Sequence, residues 1–325
     1  MLTIYDAAGT GTGLAARADA KAVDSSTLWI DLLNPTPEED ASMEAALGID
    51  IPTRAEMREI EASNRLYVEN GALFMTAFVI YAIEQAVPRS SSITFILAGD
   101  RLVTVRYAEP KAFPMFLARA EKGDASCSSA VDIMLGLIEQ LVHRQADLIE
   151  RIQDEVDRLA PAIFEIKGGQ QTRSKRLDVI LRTIGKEGDI VARVQESSFS
   201  LSRLLAFLTG ALREKGSEGK AAKRIRSVQR DVESLLDNMR FLSTRLEFLL
   251  EATLGMISIE QNQIIKLFSV AAVVFLPPTL IASIYGMNFK NMPELDWTFG
   301  YPMALVMMVL AAILPYVYFR RKGWL

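Results

Sequence analysis

The sequence contains very little cysteine and histidine. Among its 325 residues it has one cysteine, Cys127, and one histidine, His143. Thiolate and imidazole metal clusters need several such side chains, so a single chain cannot build one. Any metal that this protein handles must therefore meet oxygen ligands, which suit hard cations such as Mg²⁺.

Other features are missing as well. The formal net charge is −4, whereas a nucleic-acid-binding protein normally carries a basic footprint, so no nucleic-acid partner is expected. The sequence has no glycine-rich phosphate loop and no nucleophile elbow. We therefore expect neither an enzyme nor a catalytic cofactor.

Two long stretches near the C-terminus carry no charged residue. They run over 267–289 and 297–319, and each has 23 residues. At 1.5 Å per residue such a helix is about 34 Å long, which exceeds a hydrocarbon core of about 30 Å. The pattern predicts two membrane helices joined by a short loop.

The charges around these stretches predict their orientation. Three basic residues follow the second stretch: Arg320, Arg321 and Lys322. In the loop between the stretches, two acidic residues outweigh the single positive charge of Lys290. By the positive-inside rule both termini lie in the cytoplasm and the loop lies outside. The first residues have no signal-peptide features, so most of the chain is expected in the cytoplasm, with the two helices in the cell inner membrane.

Residues 1–125 alternate strand-like and helix-like segments. Asn70-Gly71 and Gly99-Asp100 each separate two strand-like runs, which predicts two β-hairpins. Thr36 followed by Pro37 and Glu39 predicts a helix N-cap with a first-turn proline and a capping box. An α+β cytoplasmic domain with a largely antiparallel sheet is expected.

Residues 126–263 read as a helical domain. One helix is expected to end at or near Pro161, a second to run from about 172 to 212, and a third to be a very long stalk from Lys220 to Tyr285. The apolar positions of the third alternate three and four apart: Ile225, Val228, Val232, Leu235, Met239, Leu242, Leu246 and Leu249. Two interpretations of this heptad seam are open, a coiled coil within one chain or a bundle formed by several chains.

Small and polar residues, together with one leucine, form a stripe along the first membrane helix and its approach. They are Asn262, Ser269, Ala272, Leu276, Thr279 and Ser283, at spacings of seven, three, four, three and four. Such a stripe can line a water-filled pore or serve helix packing in lipid. Pro277-Pro278 lies inside the same membrane helix. The two prolines either free backbone carbonyls for the pore or only kink the helix.

Gly286-Met287-Asn288 at the end of this helix, followed by Met292-Pro293-Glu294-Leu295, resembles the CorA magnesium and cobalt transporters. The resemblance continues in Phe275-Leu276-Pro277-Pro278-Thr279, in Phe299-Gly300-Tyr301-Pro302 and in the basic C-terminus. It implies a homopentameric, funnel-shaped channel in which the first membrane helix lines the pore.

The resemblance also implies roles for particular residues. Gly286, Met287 and Asn288 are expected to form a filter of neutral oxygens for hydrated Mg²⁺. The alternative is that Gly286 and Asn288 only cap a helix end. Glu294 and Asp296 in the outer loop could concentrate cations or be ordinary solvated acids.

Regulatory Mg²⁺ is a further implication of the resemblance. Asp231, Glu233 and Asp237 on the stalk are candidate ligands for intracellular Mg²⁺ that closes the pore, and their alternative role is a solvated helix face. Two residues depart from the pattern of relatives: Lys290 replaces an acid often seen there, and Leu276 replaces a methionine at the constriction.

These observations predict a channel for Mg²⁺ influx down the electrochemical gradient, with Co²⁺ and Ni²⁺ as further candidate ions. The predicted division is the α/β domain 1–125, helical domain 126–263, first membrane helix 264–286, outer loop 287–297, second membrane helix 298–319 and C-terminus 320–325. The alternatives are a zinc transporter of the same fold, a membrane-tethered enzyme and a coiled-coil scaffold with a hairpin anchor.

Overall fold

A computed structural model describes residues 1–7, 13–17, 23–24, 26–59, 61–85, 87–164, 170–214, 216, 219–287 and 292–323. These residues form two compact units. The first comprises Met1–Pro161 and Arg182–Leu249, and the second comprises Ala162–Leu181 and Leu250–Leu325.

The first unit contains a seven-stranded sheet. Its strands are β1 (Leu2–Ala7), β2 (Leu14–Arg17), β3 (Thr27–Leu33), β4 (Leu66–Glu69), β5 (Ala72–Tyr81), β6 (Arg89–Ala98) and β7 (Arg101–Arg106), in the spatial order β2-β1-β3-β7-β6-β5-β4. Only the central pair, β3 with β7, is parallel. The prediction of a largely antiparallel sheet is confirmed.

Both predicted hairpins form. Asn70 and Gly71 join β4 to β5 with φ of 48° and 78°, and a two-residue hairpin turn requires positive φ at both positions. Gly99 and Asp100 join β6 to β7, where Gly99 has φ of 60°. Glycine adopts such backbone angles without the clash that a Cβ would cause.

The first helix, α1 (Pro37–Leu47), begins with the predicted capping box. The Glu39 N–H donates to the Thr36 hydroxyl over 3.3 Å, and the Thr36 N–H donates to the Glu39 carboxylate over 3.0 Å. The same carboxylate accepts a hydrogen bond from the N-terminal ammonium of Met1 over 2.9 Å. This contact ties the start of β1 to the start of α1.

Both faces of the sheet are covered. On one face Met43 of α1 and Met57 join a buried apolar cluster with residues of β1, β3 and β5 to β7. Trp29 of β3 is fully buried and contacts Phe113 and Phe116 of α2 (Ala112–Glu121), with ring centroids 6.0 and 6.1 Å away. The sheet thus lies between helices, as expected for an α+β domain.

A buried ion pair connects the two parallel strands. Arg106 of β7 donates to both carboxylate oxygens of Asp31 on β3, over distances of 2.7 to 3.2 Å. Thr104 donates to the same carboxylate over 2.7 Å and accepts from the indole N–H of Trp29. The guanidinium of Arg106 also lies over the ring of Phe113, 4.4 Å from its centroid. The buried charges are therefore paired and hydrogen-bonded, as burial requires.

Three long helices follow the sheet: α3 (Ala130–Phe164), α4 (Gln170–Glu214) and α5 (Gly219–Tyr285). The predictions of a helix over about 172–212 and of a single helix over 220–285 are confirmed. Pro161 lies inside the last turn of α3. Strand β4 is short, so part of β5 has no strand partner on that side. There Ser197 and Ser200 of α4 hydrogen-bond the backbone of Phe78 and close the sheet edge.

The heptad seam of α5 faces the interior of its own unit. All eight of its apolar residues are buried within the single chain: Ile225, Val228, Val232, Leu235, Met239, Leu242, Leu246 and Leu249. The interpretation that this seam packs against other chains is therefore wrong. The apolar spacing was read correctly, but other helices of the same chain cover it.

Helix α6 (Gly300–Arg321) completes the described chain. Helices α5 and α6 each contain a stretch that is long and apolar enough to cross a membrane. Few residues of either stretch are buried in the single chain. Apolar surface of this extent is what a lipid-facing or oligomer-forming segment presents.

Candidate functional site

The residues of the predicted stripe are accessible on α5. Asn262, Ser269, Ala272, Leu276, Thr279 and Ser283 are all exposed in the single chain. Leu276 is 65% exposed, whereas Val270, next to Ser269, is only 4% exposed. Most other residues of this part of α5 are also at least partly exposed in the single chain, so the stripe differs from its surroundings in residue type and not in exposure.

The two prolines do not interrupt α5. The helix continues through Pro277 and Pro278, which lack the N–H groups that would bond the carbonyls of Val273 and Val274. The Thr279 hydroxyl donates to the carbonyl of Phe275 over 2.7 Å. Because its proton is used within the helix, the Thr279 oxygen offers lone pairs outward, and lone pairs are what the water shell of a cation binds.

Helix α5 ends at the predicted filter motif. The N–H of Gly286 donates to the carbonyl of Ala282 over 2.9 Å, and that of Met287 donates to Ile284 over 3.2 Å. A Cβ on Gly286 would lie 3.0 Å from the Ala282 carbonyl oxygen, which is tighter than ordinary contact. Glycine therefore suits this helix end. Asn288, the proposed side-chain ligand, lies outside the described residues, and so does Lys290.

The loop after the motif contains a short 3₁₀ turn, Pro293–Asp296. Asp296 is exposed, and the side chain of Glu294 lies outside the described part. Trp297 and Phe299 follow, 53% and 65% exposed, with their rings edge to face at 6.3 Å. Tryptophan is enriched at the membrane–water interface, which suits Trp297 at the start of the second membrane helix.

The three candidate regulatory acids are not gathered into a site by one chain. Asp231, Glu233 and Asp237 are all exposed on α5, and Asp237 forms an ion pair with Arg240 over 2.7 Å. Within the described ranges, no group of three or more His, Cys, Asp or Glu side chains could hold a metal ion.

Two exposed aromatic residues were missed by the sequence analysis. Phe241 and Phe248 on α5 are 59% and 58% exposed, although they precede the charge-free stretch. They are seven residues apart, and Asn262 follows Phe248 by two further heptads. The seven-residue spacing could have revealed them, but the apolar seam on another side of the helix dominated the pattern.

Comparisons with known proteins agree with this arrangement. A family described as "CorA-like Mg2+ transporter protein" matches residues 24–321. The chain is 39% identical over 301 residues to the magnesium transport protein CorA of Yersinia pseudotuberculosis, covering 93% of both chains. It is 38% identical over 298 residues to that of Escherichia coli, covering 92% of both.

A solved structure has the same fold. The complete structure of the CorA magnesium transporter from Methanocaldococcus jannaschii superposes with a TM-score of 0.75 at 17% identity, covering 100% of this chain and 99% of that one. At this identity the match supports the fold alone. The expected fold class, with an N-terminal α/β domain, a long helix and two C-terminal apolar helices, is confirmed.

Proposed function

The chain belongs to the CorA family of Mg²⁺ transporter proteins, and from this premise we propose that it forms a homopentameric channel for Mg²⁺ influx. It is a membrane transporter and not an enzyme, as the sequence analysis expected. Its ion pathway, gating, inner-membrane location and orientation, with both termini cytoplasmic, are part of the proposal.

The observation that carries the proposal is the row of small and polar residues along α5, which includes Leu276. One chain contributes two membrane helices, which cannot enclose a water-filled path, so several copies must surround an axis. The stripe places hydroxyls, an amide and a small residue on one side of the first membrane helix, unburied in the single chain. Exposed Phe241 and Phe248 supply apolar surface in the stalk that neighbouring copies would cover.

The filter is assigned to Gly286, Met287 and Asn288. Mg²⁺ gives up its water slowly, so a ring of neutral acceptors from several copies can bind the hydrated ion without trapping it. Leu276 forms an apolar ring deeper in the pore, which can gate by excluding water. Glu294 and Asp296 raise the local cation concentration at the mouth.

The regulatory part of the proposal concerns intracellular Mg²⁺. Carboxylates Asp231, Glu233 and Asp237 on the stalk meet acids of a neighbouring copy, and Mg²⁺ bound between them favours the closed channel. Co²⁺ and Ni²⁺ are further candidate ions because the hydrated-ion filter does not require ligands specific to one metal. A zinc transporter of the same fold is the second candidate function, but all ligands proposed here are oxygens, whereas zinc sites favour nitrogen and sulfur.

The test is Mg²⁺ uptake into proteoliposomes, comparing wild type with Asn288→Ala. Loss of the amide ring removes the acceptors for the hydrated ion, so uptake is expected to fall by about tenfold or more. Asn238→Ala, an exposed asparagine in the stalk, is the matched control and should keep wild-type uptake.

Two results would contradict the proposal. Wild-type flux that survives Asn288→Ala would place the filter elsewhere. No uptake of any divalent ion by intact oligomers would reject the channel itself.

A further inference from the structure

The first unit carries a basic groove that the transport proposal does not use. Two cavities of about 570 and 360 Å³ lie between the sheet and helix α4, and Phe78 and Glu196 line both. Each volume falls in the range of small-ligand pockets. Because the two cavities share these side chains, they are neighbours, and we treat them together as one groove.

The side chains that line this groove carry mostly positive charge. Arg65 and Arg203 line the larger cavity, and Arg54 and Arg58 line the smaller one. Among the described lining residues, the only carboxylate is Glu196. Four guanidinium groups facing one carboxylate favour an anionic ligand with more than one charge.

The electrostatics of Arg65 support a partly desolvated site. Burial lowers the pKa of Arg65, and the positive charge of Arg203 lowers it further, while Glu196 acts in the opposite direction. The guanidinium lies over the ring of Phe78, 4.8 Å from its centroid. An anion bound here would relieve the repulsion between the two arginines.

A buried hydroxyl provides an independent indication of a ligand. Ser92 is 7% exposed and lines the smaller cavity. Its Oγ is buried and has no hydrogen-bond partner in the part of the chain that the structure describes. Buried polar atoms are normally satisfied, so this hydroxyl would gain a partner if its side chain turned toward a ligand oxygen in the cavity.

Aromatic side chains flank both ends of the groove. Tyr107 lies under the guanidinium of Arg54 in the smaller cavity, 5.3 Å from centroid to cation. Phe199 lines the larger cavity and is 42% exposed. Planar apolar surface beside guanidinium groups suits a ligand that combines an aromatic ring with phosphates.

We propose that this groove binds a nucleoside polyphosphate, with the phosphates on the arginines and Ser92 and the base against Phe199. The site is distinct from the ion pathway and from the candidate regulatory acids. Its occupancy does not depend on ion flux, so the inference can fail or hold whether or not the channel proposal is correct.

The experiment is isothermal titration calorimetry of the full-length protein in detergent, at low salt and with EDTA so that metal sites stay empty. ATP should bind saturably, tripolyphosphate more weakly, and adenosine not measurably. Arg203→Gln should weaken ATP binding by about tenfold or more, because a charge-assisted contact is lost. Arg176→Gln, an exposed arginine of α4 that lines neither cavity, should leave the affinity unchanged.

Two further variants separate the parts of the site. Arg203→Lys keeps the charge but not the planar fork, so its ATP affinity should lie between those of wild type and Arg203→Gln. Phe199→Ala should weaken ATP binding while tripolyphosphate binding stays the same. Thermal unfolding of each variant verifies that it remains folded.

The proposal is overturned if wild-type protein binds neither ATP nor tripolyphosphate, as would occur if carboxylates of a neighbouring copy fill the groove. It is also overturned if Arg176→Gln weakens binding as much as Arg203→Gln. Equal affinity for ATP and tripolyphosphate, with no effect of Phe199→Ala, would assign the groove to inorganic polyphosphate and reject the nucleoside.

Discussion

The carboxylate of Asp31 is the centre of a buried hydrogen-bond network. It accepts three hydrogen bonds from Arg106 and one from Thr104, and both ionised partners are nearly fully buried. Removing one member of such a pair leaves the other charge buried without compensation, which costs more than the pair itself contributes.

We therefore expect Asp31→Asn to destabilise the protein by about 3 kcal/mol or more. In thermal unfolding of the detergent-solubilised protein this corresponds to a Tm lower by about 6 °C or more. The double variant Asp31→Leu with Arg106→Met removes both charges, so it should lose less stability than the sum of the two single variants. Strictly additive losses would show that the pair is not coupled as its geometry indicates.

This pair also marks a limit of sequence reasoning at the residue scale. Asp31 and Arg106 are separated by 75 positions, and nothing in the sequence near either one identifies its partner. The capping box of Thr36 and Glu39 was predictable because all its atoms come from four consecutive residues. Contacts within a short segment can be read from the sequence, whereas contacts created by strand pairing cannot.

At the scale of elements, helix α5 combines two differently covered sides. Its heptad seam is buried by the same chain, whereas Phe241 and Phe248 are exposed. Periodicity predicted the helix and its apolar spacing correctly. It could not predict which chain covers the seam, because the repeat specifies a face of the helix and carries no information about its partner.

The exposed phenylalanines lead to a prediction about assembly. If neighbouring copies cover Phe248, then Phe248→Asp buries a charge at that contact and should dissociate the oligomer into smaller species. The measurement is the molecular mass of the solubilised protein by light scattering over a range of concentrations. Phe164→Asp, at a comparably exposed phenylalanine of α3, should leave the mass unchanged.

The opposite result has an equally direct meaning. An unchanged oligomer in Phe248→Asp would show that this side of the stalk does not contact other copies. Assembly would then depend on other surfaces, among which the exposed apolar residues of the membrane helices are candidates.

At the scale of the whole molecule, the proposed channel would work with a large driving force, which favours a means of closing it. A doubly charged ion that crosses 100 mV gains about 4.6 kcal/mol, twice the value for a unit charge. At equilibrium this corresponds to an accumulation of about 10³-fold inside. An open Mg²⁺ channel would therefore overload the cytoplasm, unless internal Mg²⁺ closes it.

The stalk acids are the proposed sensor, and the single chain leaves them exposed and unassembled. Loss of one carboxylate ligand weakens Mg²⁺ binding in the closed channel, so Asp231→Ala should raise the internal Mg²⁺ concentration for half-maximal closure by about tenfold. The measurement is uptake into proteoliposomes that are preloaded with graded Mg²⁺ and held at a fixed inside-negative potential. Asp154→Ala, an exposed acid on α3, is the control and should close at the wild-type concentration.

This experiment tests the regulatory site separately from the pore. If Asp231→Ala closes at the same internal concentration as wild type, Asp231 is not a ligand of the sensor, and Glu233 and Asp237 become the variants to test. Of these, Asp237 is already paired with Arg240, and a metal ion would have to compete with that guanidinium for the carboxylate. If uptake still requires the inside-negative potential in every variant, the pore is intact. The electrical driving force acts on the transported ion, whichever acids bind the regulatory Mg²⁺.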